Sequence, residues 1–131
     1  MEKKTGVKNI LDAGPLIAAL NRRDEHHLWA REALDRVGPP LYSCPEAMAE
    51  AAAMTAQPMA IVEMIQSGEI ILAFDLTEQC AGVLALLKKY ADRDMDLADA
   101  CIVRMSELIR DCHVLTVDQR ISRFIVEMDE T

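Results

Sequence analysis

Aromatic residues are nearly missing from this chain: two Phe, two Tyr and one Trp make up 4% of it. A core must therefore be built from Leu, Ile, Val, Ala and Met, and eight Met give it an adaptable shape. Gly and Pro are also scarce, at five each, which excludes collagen-like and low-complexity designs. No two of Cys44, Cys80, Cys101 and Cys112 form a C-x-x-C pair, so the zinc-ribbon spacing is missing. Three of them lie in or beside apolar runs, the usual setting of buried free thiols. No run of about 18 uncharged apolar residues occurs, so no transmembrane helix is expected. The opening "MEKKTGVK" is basic, but Asp12 interrupts the apolar stretch behind it, which argues against a signal peptide. Positive charge is in deficit: 14 Lys and Arg against 22 Asp and Glu leave −8. That excludes a broad basic face for nonspecific nucleic-acid binding. It does not exclude an enzyme whose acids are concentrated in one metal-filled pocket. The expectation is a soluble protein of a reducing cytoplasm.

What is present reads as one globular domain over residues 1–131, apolar at 51% and long enough to bury a core. "VKNIL" (7–11) is β-like, and "AGPLIAAL" follows with Pro15 suited to a helix's first turn. Asp24 stands ready to cap a second helix, "EHHLWAREALDRV", which "GPP" (38–40) stops. "LYSC" reads as a buried strand, with Ser43 the N-cap candidate for the Ala- and Met-rich helix behind it and Pro45 in its first turn. Another helix begins at Gln57–Pro58 and closes at Ser67–Gly68. "EIILAFDL" (69–76) is the clearest strand, continuous and rich in β-branched residues. Helices from Thr77 and over 97–110 follow, then a strand "HVLTV" (113–117) and a short helix in the tail. Strands alternate with helices, which predicts a parallel sheet with helices on both faces. Ligands of such sheets bind beyond the carboxyl ends of the strands.

Two strands end in an acid: "NILD" in Asp12 and "LTVD" in Asp118. Either could simply cap the next helix. As a pair at equivalent positions they favour a site. Glu50 is the only charged residue in "AMAEAAAMTAQPMAIV" (47–62). A carboxylate on so apolar a helix needs a partner, either a metal or an Arg from elsewhere. Glu46, one turn earlier, is explained by the helix dipole. Asp92, Asp94 and Asp96 match the first positions of a calcium loop, but Leu97 and Val103 stand where Gly and Glu are required. Capping explains Asp96 well. It explains Asp99 less well, because Asp99 lies among Ala98, Ala100, Cys101 and Ile102. Asp12, Glu50, Asp99 and Asp118 are thus candidates to converge, with Asp96 adjacent. Unit charges about 4 Å apart repel by roughly 4 kcal/mol at an effective dielectric near 20, so such a set requires cations. Oxygen-only ligands suit Mg²⁺ or Mn²⁺. His26, His27 and His113 read as structural or surface residues, and Arg22, Arg23, Arg93, Arg120 and Arg123 as solvated cations.

In order along the chain, "ILDAGPLIAAL", "AEAAAM", "YADRDMDLADACIV" and "VLTVDQR" resemble the PIN-domain nucleases, and within them the VapC-type toxin ribonucleases. The likeness covers nearly the whole chain. It implies a PIN-like, Rossmannoid three-layer α/β/α fold with a short, four- or five-stranded parallel sheet. It implies Mg²⁺ or Mn²⁺ held by Asp12, Glu50, Asp99 and Asp118, with Asp96 near the site and the Thr116 hydroxyl supporting the metal shell. It further implies an RNA substrate, a homodimer, and a small antitoxin protein that inserts into the active-site groove. Two positions depart from the pattern. Ala13 stands where relatives commonly carry Thr or Ser, and "QRISRF" follows Asp118 where they often read acid–aromatic. The short tail predicts a reduced or missing last strand. Two other readings compete: a non-catalytic PIN-like module that binds RNA or protein, and a phosphotransfer domain. The latter ranks last because "DAG" lacks the second Asp of a D-x-D motif and no Lys follows a late strand.

Overall fold

The structure is a computed structural model and describes residues 6–118 and Ile121. Strand β1 (Lys8–Leu11) leads into helix α1 (Ala13–Leu20) and then α2 (His27–Val37). Strand β2 (Leu41–Ser43) is followed by α3 (Pro45–Thr55) and α4 (Pro58–Gln66). Strand β3 (Ile70–Leu72) precedes α5 (Leu76–Lys89), α6 (Leu97–Leu108) and β4 (Cys112–Leu115). All pairings are parallel, in the order β3-β2-β1-β4. From β1 the chain steps outward to β2 and β3, then returns over both to place β4 on the other side of β1. Helices flank the sheet: α1 packs on α2 and α3, α3 on α4, and α5 on α6, with α6 also against α3, β1 and β4. The direction of winding reverses between β1 and β4, which is where sheets of this kind leave a crevice.

The core is aliphatic, as the shortage of aromatics requires. Ile10, Leu11, Leu16, Ile70, Ile102, Val103 and Met105 are almost fully buried, with Tyr90 the one large aromatic among them. Pro45 and Pro58 sit at helix starts, where a missing N–H costs nothing. Gly68, at φ +87, closes the turn after α4. Among the described residues no helix is long and apolar enough to cross a membrane.

Several elements differ from the sequence reading. The run "EIILAFDL" supplies only three strand residues, because β3 is an edge strand whose one partner among the described residues, β2, is itself three residues long. Ile71 and Leu72 are therefore more than a third exposed, and the segment ends in an Asp75 cap that accepts from the Thr77 N–H at 2.9 Å. Ser43 does not cap α3. That position falls to Cys44, and the buried Ser43 hydroxyl donates instead to the Leu11 carbonyl at 2.7 Å, tying β2 to β1. Asp24 shapes the turn ahead of α2, accepting from the His26 N–H at 2.8 Å, and is not the cap itself. His27 is structural: its Nδ1 lies 2.7 Å from the Ala18 carbonyl and joins α2 to the end of α1. The expected tail helix lies outside the described residues, apart from a buried Ile121, and so do Arg120 and Arg123.

Candidate functional site

The β1–β4 ladder keeps one register from Lys8↔Cys112 to Leu11↔Leu115. The residues that follow, Asp12 and Thr116, therefore emerge side by side at the carboxyl edge. Asp12 stands at the N-cap position of α1 with extended backbone, yet its side chain makes no capping hydrogen bond. Its Oδ2 accepts instead from the Thr116 hydroxyl at 2.8 Å. The same hydroxyl oxygen accepts from the Asp118 N–H at 2.9 Å. The Asp12 N–H donates to the Leu115 carbonyl at 3.1 Å, and the Ile121 N–H to the Asp118 carbonyl at 3.1 Å. Thr116 thus links the carboxylate of Asp12, directly after β1, to the backbone of Asp118, which lies three residues beyond the end of β4 where the sequence reading had it end the strand. Capping, the simple alternative for Asp12, is not what its carboxylate does.

Glu50 projects from α3 toward the same edge. Its side chain is open on one side, yet enough protein surrounds it that lost hydration is the first cause of its raised pKa. The charges of Asp96, Asp12 and Asp118 follow in that order. Asp12, 6% exposed, is likewise raised, first by burial and then by Asp118 and Asp96, against the lowering effect of the Thr116 hydroxyl and the Ala13 amide. Four carboxylates from four parts of the chain therefore act on one another. No ion pair among the described residues involves Asp12, Glu50 or Asp96.

Asp96 and Asp99 form a reciprocal capping box at the start of α6. Asp99 N–H donates to Asp96 Oδ1 at 2.8 Å, and Asp96 N–H to Asp99 Oδ2 at 3.1 Å. Capping thus accounts for one Asp99 oxygen, more than its apolar neighbours in sequence suggested. It also anchors a side chain only 6% exposed and links it to the group through Asp96. Among the described residues no three His, Cys, Asp or Glu side chains stand close enough to grip an ion as they are. The donor chemistry still fits a hard divalent cation. The donors are oxygens, the buried Asp12 has no cationic partner among the described residues, and burial first, with mutual repulsion added, raises the pKa of Asp12 and Glu50. Cys101, two residues beyond Asp99, adds no thiolate: hydrogen bonding with Cys44, then burial, pushes its thiol far up.

Two contributors escaped the sequence reading. Ser43 secures the end of β1 one residue before Asp12, and only pairing partners reveal that role. Gly14, two residues after Asp12, lies under Val117, the neighbour of Asp118. A glycine inside a helical run was its one available signal. A cavity of about 780 Å³ lined by Lys8, Arg36, Tyr42 and His113 among others opens at the opposite, amino edge, and none of these acids lines it.

A family model for the PIN domain matches residues 10–126. The chain belongs to the PIN-domain family. Among solved structures, VapC20 of Mycobacterium tuberculosis, described as a toxin that cleaves the sarcin–ricin loop, has the same fold. Its TM-score is 0.67 at 19% identity, covering 88% of this chain and 94% of that one. No curated protein sequence matches the chain. The PIN fold accounts for the parallel sheet and the helices that flank it.

Proposed function

We propose that this PIN domain is a Mg²⁺- or Mn²⁺-dependent endoribonuclease and the toxin of a VapBC-type toxin–antitoxin pair in the cytoplasm. The observation that carries the reading is the Asp12–Thr116–Asp118 hydrogen-bond chain, set beside Glu50 and Asp96, which make no ion pair among the described residues. Asp12, Asp99, Asp118 and Glu50, with Asp96 beside them, would hold the metal. When bound, such an ion polarises a phosphodiester and lowers the pKa of its water. The chain's own part is positional. Thr116 holds Asp12 and Asp118 at one spacing, and its donated proton keeps Asp12 an acceptor. The capping box fixes the Asp99 rotamer, and Glu50 stays on the open side, where a polymer substrate and water can reach it.

Exposed apolar side chains on three helices, Leu28, Met54, Met59 and Val62, support protein partners, which we assign to a homodimer and a small antitoxin. The competing reading, a non-catalytic PIN-like module, has the engagement of Asp99 in its capping box in its favour.

One experiment separates them. Purified protein is incubated with a sarcin–ricin-loop RNA and with total RNA, with Mn²⁺ or Mg²⁺, with and without chelator. We expect chelator-sensitive cleavage, reduced on the order of 100-fold or more in Asp12→Asn and Asp99→Asn and less in Asp96→Asn. Asn still accepts a capping hydrogen bond, so these variants remove charge while keeping the helix start. Chelator-insensitive cleavage, or full activity in Asp12→Asn and Asp99→Asn, defeats the nuclease reading. Metal binding without turnover on any RNA favours the module.

A further inference from the structure

Gly14 lies in the first turn of α1, and its backbone is not left-handed: the positive-φ glycines are Gly6, Gly38 and Gly68. Its lack of a side chain therefore answers no conformational need, and Gly is a poorer helix former than Ala. What the position requires is space. A Cβ built on Gly14 would stand 2.5 Å from Val117 Cγ2, a separation that real Cβ atoms do not adopt. The next contacts, Val117 Cβ and N, are at 3.8 Å, which is ordinary packing. The conflict is with one methyl group.

That methyl cannot easily turn away. Val is β-branched and stiff at χ1. Its residue lies between Thr116, tied to Asp12 and to the Asp118 amide, and Asp118, whose carbonyl is held by the Ile121 N–H. Moving Val117 moves both neighbours.

We infer that Gly14 is a positioning residue: by letting Val117 seat against the first turn of α1, it sets the spacing between Asp12 and Asp118. The inference rests on the reading of these acids as a metal centre. In Gly14→Ala the extra carbon drives segment 116–118 outward and stretches the two Thr116 hydrogen bonds. Removing the Val117 methyls relieves the conflict, because the remaining approach is Cβ to Cβ at an ordinary distance.

The test is a double-mutant cycle with Gly14→Ala and Val117→Ala, read by Mn²⁺ calorimetry and by the Thr116 and Asp118 amide resonances in NMR. In the wild-type background Gly14→Ala should weaken Mn²⁺ binding on the order of 10- to 100-fold, the scale of losing a group that orients a ligand. It should also shift both amides. In the Val117→Ala background the same step should change affinity less than about 3-fold. Unmoved amides and unchanged affinity in Gly14→Ala overturn the inference. So does a folded double variant in which the Gly14 step still costs its full factor. If Gly14→Ala does not fold, the double variant decides alone. If wild-type protein binds no Mn²⁺, the nuclease reading fails by itself, and the amide shifts still report whether Gly14 sets the segment.

Discussion

Asp12 shows how burial and charge conflict at a single residue. Burial lifts its carboxyl above the ordinary 3.8, the charges of Asp118 and Asp96 add to this, and the Thr116 hydroxyl opposes. An acid whose folded pKa exceeds its unfolded value holds its proton more tightly when folded. Its ionisation therefore costs stability. The cost is absent below 3.8, grows as pH rises toward the lifted value, and is complete above it. Asp12→Asn removes the cost while leaving an acceptor for Thr116. In chelator-treated buffer the variant should melt a few degrees above wild type near pH 7, with the advantage vanishing as pH falls to about 4. Thermal melts across that range check it, and a difference that does not vary with pH contradicts it. At this scale the sequence was legible where an acid ended an apolar run, as at Asp12 and Asp118. It was not legible where a role depended on a distant atom. Nothing near Ser43 announces the Leu11 carbonyl, and nothing near Gly14 announces Val117.

At the scale of elements, helix starts were written locally and strand ends were not. Pro45, Pro58 and the Asp96–Asp99 box mark three helices through interactions confined to a few residues. A strand exists only as far as its neighbour pairs with it, so "EIILAFDL" could not disclose that β2 offers three residues. With so short a ladder, the Ser43–Leu11 bond takes on weight. Ser43→Ala should destabilise the fold by about 1–2 kcal/mol, since a buried hydrogen bond is removed. It should also loosen the end of β1 directly before Asp12. Urea unfolding measures the first effect, and a midpoint equal to wild type would show that backbone pairing suffices. The accompanying change in Mn²⁺ affinity measures the second.

Across the whole molecule, net charge of −8 and several carboxylates near one sheet edge make cation binding the property by which the proposed function is tested before any substrate is considered. A divalent ion bound only by the folded chain stabilises it by RT ln(1 + [L]/Kd), about 2.7 kcal/mol at a hundredfold excess over Kd. Raising Mn²⁺ should therefore raise the melting temperature of wild type by several degrees until saturation. Asp12→Asn and Asp99→Asn should rise little. An equal rise in all three proteins would mean that the ion acts on diffuse surface charge. The same topology that gathers the acids leaves β3 at an edge and apolar side chains on α2, α3 and α4 facing solvent.

The sequence by itself determined the alternation of strands and helices and the aliphatic core, and named the acids to test, because periodicity, capping and composition act over a few residues. The tertiary structure alone decided that β4 lies beside β1 in a register placing Thr116 against Asp12, that Asp99 shares its carboxylate with a helix cap, and that Gly14 makes room for Val117. Each of these depends on the distance between groups far apart in the chain, and that distance is fixed only when the sheet pairs and the helices pack across it.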